Sequence, residues 1–70
     1  MMPVTMARIG EKNYIKKIKG HDEVRAHLAT LGFVVGECVM VISGVGGNLI
    51  LGVKDSRIAI SRELAKRIMI

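Results

Sequence analysis

The sequence predicts a mainly β fold, a small closed barrel of about five short strands with one inserted helix and a short helical turn near the C-terminus. Three observations carry this. The chain has 70 residues, which is room for one core and no more. Half of it is apolar, but only Tyr14 and Phe33 are aromatic and there is no Trp, so the core is aliphatic. The apolar residues fall in short runs separated by glycines and polar turns, and closing such strands on themselves avoids exposed sheet edges.

Residues 1–9 read as a loose lead-in and residues 10–70 as the domain. Tyr14-Ile15-Lys16-Lys17-Ile18-Lys19 reads as a first strand. Its apolar positions alternate poorly, as at a bulge or a sheet edge. Gly20-His21-Asp22 opens a helix, with Asp22 placed to accept from the free first-turn amides. Val24, Leu28 and Leu31 make one apolar stripe at i, i+4 and i+7. Gly32 suits the residue after the helix, where φ turns positive, and Phe33 then folds back on Leu28. Val34-Val35-Gly36-Glu37 reads as a type II turn with Gly36 at the position that needs positive φ.

A second strand follows over Cys38–Ser43, then a loop over Gly44–Gly47 and a third strand over Asn48–Lys54. Lys54-Asp55-Ser56-Arg57 reads as a tight reversal with Asp55 and Ser56 at its tip. Arg57-Ile58-Ala59-Ile60 alternates as a half-buried strand does. Ser61 caps a single helical turn over Arg62–Lys66, and Arg67–Ile70 closes the chain as a last strand.

The run from Cys38 to Val53 carries no charge, and Gly32-x-x-x-Gly36 matches a membrane packing motif. A span needs roughly 20 predominantly apolar residues. This run is shorter and is broken by Ser43-Gly44-Val45-Gly46-Gly47-Asn48, so a buried hairpin explains it better. The N-terminus lacks the basic segment and long apolar run of a signal peptide. The single cysteine, Cys38, allows no internal disulfide, which fits a reduced, cytoplasmic setting.

From Leu28-x-x-Leu31-Gly32-Phe33, through x-x-Gly36-x-x-Val39-x-Val41, then Leu49-Ile50-Leu51-x-Val53 and Arg57-x-Ala59-Ile60, to Ala65-x-x-Ile68, the series resembles the FeoA family. These are small cytosolic components of bacterial and archaeal ferrous iron transport. The resemblance covers roughly residues 10–70. It implies an SH3-like β-barrel with a helix after the first strand. It implies a non-enzymatic adaptor or regulator acting by contact with the FeoB-type membrane transporter, whose cytosolic part carries a G-protein domain. It places this chain in the cytoplasm, peripheral to the inner membrane through that partner. The turn often written Pro-Gly in the family is Val35-Gly36 here, which keeps the glycine that the turn needs. The same barrel is similar to the C-terminal domain of iron-dependent regulators of the diphtheria-toxin-repressor type. That likeness leaves a regulatory or nucleic-acid-associated module as the alternative; a free-standing chain of this length favours the first reading.

Candidate chemistry is sparse, and no cofactor is expected. His21 and His27 straddle the start of the helix on different faces, and no group of ligands has metal-site spacing. Gly44-Val45-Gly46-Gly47 precedes a strand rather than a helix, so it lacks the phosphate-binding context. Ser43, Ser56 and Ser61 sit at strand ends and caps with no histidine near them in sequence. Eleven Lys and Arg against six Asp and Glu give a net charge of +5, which invites an acidic partner. The basic surface falls on Lys16, Lys17 and Lys19. Only Tyr14 lies near them for base stacking, which disfavours nucleic acid. Basic residues of this kind also suit an anionic leaflet or an acidic face of the transporter. For partner contact the candidates are Val45, an apolar residue in a glycine loop, and the Leu31-Gly32-Phe33 turn. Short strand edges make weak self-association an expectation too.

Overall fold

The computed structural model describes residues 1–70. Six strands form: β1 (Lys12–Tyr14), β2 (Lys17–Ile18), β3 (Cys38–Val45), β4 (Asn48–Val53), β5 (Ser56–Ser61) and β6 (Ile68–Met69). Helix α1 (Asp22–Thr30) lies between β2 and β3, and α2 (Arg62–Ala65) between β5 and β6. The strands make two antiparallel sheets, β1-β3-β4-β5 and β2-β6. The fold is SH3-like, but no continuous ladder closes the barrel.

The extra strand has a local cause. The predicted strand over Tyr14–Lys19 divides where the chain changes sheets. The Ile15 N–H donates to the Glu37 carbonyl at 2.9 Å, whereas the Lys16 N–H donates to the Met69 carbonyl at 2.8 Å. Ile15 plugs the corner between the sheets and is fully buried. The poor alternation of this segment is the signature of that switch.

Register follows the apolar pattern. Val39 faces Val53, Val41 faces Leu51, and Leu49 faces Ile60, so the inward residues of β3, β4 and β5 stack. A bulge between Val41 and Ser43 shifts β3 by one residue. The buried set is wholly hydrophobic, and no polar or charged side chain is buried. Leu28 and Phe33 bring α1 onto this core.

α1 ends as its sequence predicts. Gly32 has φ +102°, the Gly32 N–H donates to Ala29, and the Phe33 N–H reaches back to Leu28 at 2.9 Å. That pair of bonds is a complete Schellman ending. The following turn forms with Gly36 at φ +93° and the Glu37 N–H donating to the Val34 carbonyl. The Ser61 cap is also present, its Oγ accepting from the Leu64 N–H at 3.1 Å.

Four expectations are corrected. His21, not Asp22, occupies the N-cap of α1, and it makes no side-chain cap bond. Asp22 is instead the first helical residue, where its charge faces the positive end of the helix dipole. The glycine loop is shorter than expected: β3 runs on to Val45, which pairs with Asn48 and leaves Gly46-Gly47 as the turn. The reversal before β5 sits one residue earlier, at Lys54-Asp55, with Lys54 at φ +53°.

The fourth correction concerns residues 1–9, which are not loose. Val4 is 1% exposed and belongs to the core. Met2 and Ile70 exchange backbone hydrogen bonds at 2.9 and 2.7 Å, and Pro3 bridges Met69. The segment lacks period-2 alternation because it crosses the domain as a short bridge and a single 3₁₀ turn, Val4–Met6.

Candidate functional site

The change of sheet at Ile15 and Lys16 creates the main concavity. Burying Ile15 turns Lys16 and Lys17 to the outside. Residues of β2, of α1 and of the turn after α1 come together around that concavity. The result is an open groove of about 350 Å³. Ile18, Ala29, Val34 and Val35 give it an aliphatic wall and floor, backed by the buried Phe33. Lys16, Lys17 and Arg25 are its only charged members, and all are cations.

The cations are free to meet a partner. Arg25 has a carboxylate at 3.8 Å, that of Asp22, but both side chains are largely exposed. Such a pair is worth little. The Lys19 N–H donates to the Arg67 carbonyl, which sets two further basic residues on the neighbouring stretch of the β2-β6 pair. Lys16, Lys17, Lys19, Arg25 and Arg67 thus stand in or next to the groove.

The predicted contact residues separate. Phe33 is fully buried and presents no contact surface of its own. Leu31 and Gly32 are half-buried beside it. Val45 is 64% exposed, but it stands at the far end of β3, seven residues beyond Cys38 and roughly 20 Å from it at strand rise. Lys16 and Lys17 line the groove, whereas Lys19 lies outside it. Sequence reasoning missed Arg25, Val34 and Val35. Arg25 follows Val24 of the apolar stripe by one residue, so its place toward β2 had no local signal. The two valines did carry one: consecutive apolar residues in a glycine turn cannot both face inward.

A second, smaller groove of about 270 Å³ lies on the four-stranded sheet, between Lys12, Glu37, Cys38, Met40, Gly52 and Lys54. Lys54 and Glu37 approach to 3.8 Å across it. No three His, Cys, Asp or Glu side chains come together anywhere. His21 and His27 are both exposed. No helix is long and apolar enough to cross a membrane.

The chain is thus an SH3-like domain whose larger concavity is lined by aliphatic and cationic side chains. Comparison with known proteins narrows this. The FeoA domain matches residues 2–70, and the chain belongs to the FeoA family, which is associated with ferrous iron transport. It is 36% identical over 70 residues to a protein of Methanocaldococcus jannaschii provisionally named Fe(2+) transport protein A, covering 100% of this chain and 85% of that one. A crystal structure of an iron uptake regulatory protein, FeoA, superposes with TM-score 0.87 at 28% identity, covering 96% of this chain and 89% of the other. The zinc complex of Stenotrophomonas maltophilia FeoA, described as an SH3 domain protein, gives TM-score 0.84 at 24% identity, covering 99% and 88%. A manganese-dependent transcriptional repressor shares the fold alone, with TM-score 0.84 at 13% identity over 38% of its length.

Proposed function

We propose that this chain is a non-enzymatic cytosolic adaptor of ferrous iron uptake, acting by contact with the cytosolic part of a FeoB-type transporter. Its place is the cytoplasm, held at the inner membrane through that partner. The observation that carries the reading is the groove between β2 and α1, with aliphatic walls and a rim lined by cations and no acid, on a member of this family. Aliphatic and ammonium groups offer recognition rather than acid–base or nucleophilic chemistry. Val45 and the Leu31–Phe33 turn remain proposed as further contacts, with Phe33 acting through the shape of the turn.

The test is calorimetric titration of the pure chain with the transporter's cytosolic domain, alongside a GTPase assay of each alone. Saturable binding with no turnover by this chain is the expected result. GTP hydrolysis by this chain, lost on a point substitution in it, would overturn the reading. The regulator alternative takes second place, because the repressor likeness is one of fold alone and the basic groove has no stacking aromatic. Retention on DNA that falls steeply with log salt would favour that alternative.

A further inference from the structure

The groove has a property that contact with a transporter does not by itself require: its charge is of one sign. We infer that it seats an extended acidic segment of the partner protein, with carboxylates against Lys16, Lys17 and Arg25 and an apolar side chain against Ile18, Val34 and Val35. This deepens the adaptor reading and rests on it for the partner's identity.

Four features point to that occupant. The rim carries three cations and no acid, so complementarity calls for anions. The floor is aliphatic, and Val35 is 65% exposed, so the occupant also brings an apolar group to cover it. The volume, about 350 Å³, lies at the low end of the ~300–1,000 Å³ range of ligand cavities. It takes a side chain or two from a passing strand. β2, two residues long, pairs with β6 and with no second strand, so an extended chain there would displace no existing ladder. Nucleic acid fits poorly, since Tyr14, the one exposed aromatic, is not part of the lining. A flat lipid surface cannot enter a concavity.

The experiment is an amide NMR titration of the labelled full chain with a short capped peptide alternating glutamate and leucine. Two control peptides replace every glutamate by glutamine, or every leucine by serine. The expected result is shifts at Lys16–Ile18, Arg25, Ala29 and Val34–Val35, with each control at least about tenfold weaker. Lys16→Glu and Val35→Ser, checked for folding by circular dichroism, should each weaken the acidic peptide about tenfold. Equal binding of the glutamine peptide, shifts confined to other residues, or the same shifts from anionic lipid vesicles with none from the peptide would overturn the proposal. The two readings fail separately. If the transporter's cytosolic domain binds but shifts a different surface, the adaptor role stands and the groove's role falls. If the peptide seats while that domain does not bind, the groove's role stands and the adaptor role falls.

Discussion

Gly32 and Phe33 show how closely one residue's conformation is tied to the whole. Gly32 at φ +102° ends α1 and sends Phe33 into the core. A Cβ there would meet only ordinary contact with Val53, at 3.6 Å, so the cost of Gly32→Ala is backbone strain. We expect about 1–2 kcal/mol, read as a lower urea midpoint at unchanged m-value. Phe33→Ala should cost about 3–5 kcal/mol, since the side chain is fully buried. Loss of partner binding in that variant would therefore report unfolding. Val35→Ser is the informative substitution, because Val35 lies outside the core. The turn was legible in sequence because Gly32, Phe33 and Leu28 signal it locally. The core role of Phe33 was legible by the same signal, because folding back on Leu28 already accounts for an aromatic after the helix end.

Local chemistry places most elements to within a residue or two, with the α1 cap and two hairpin turns displaced slightly; elements that depend on distant neighbours are not announced in sequence. The hairpin strands, the type II turn and the Ser61 cap each rest on local chemistry. Ser61→Ala should lower stability by about 1 kcal/mol, the usual value of an N-cap, measured by urea unfolding. The division of the first strand depends on Met69, and the packing of residues 2–4 depends on Met69 and Ile70, both at the other end of the chain. No pattern within those segments announces that. Val4 is 1% exposed; Val4→Ala should therefore cost about 2 kcal/mol through lost burial and a residual cavity, whereas a loose lead-in would give no change in the same melts. The groove inherits this problem. Its walls come from β2, α1 and the following turn, so its lysines were visible in sequence and its concavity was not.

At the scale of the whole molecule, the distribution of charge matters more than its sum. A net +5 biases the surface generally, but the groove is where cations stand over exposed aliphatic side chains without acids between them. Binding there should weaken as salt rises, because exposed charges are screened beyond roughly 10 Å at 0.1 M. It should not vanish at high salt, because the apolar floor is insensitive to screening. A salt series of calorimetric titrations checks this: affinity lost entirely by 1 M salt would assign the contact to charge alone. The second groove, on the four-stranded sheet beside Cys38, shares no lining residue with this surface, and substitutions there serve as controls for it.

The most direct test of the adaptor role is to record amide spectra of the labelled chain while adding the transporter's cytosolic domain. The account predicts saturable shifts centred on Lys16–Ile18 and Val34–Val35, and their loss in Lys16→Glu. Spectra unchanged at saturating concentrations of the folded domain would contradict it.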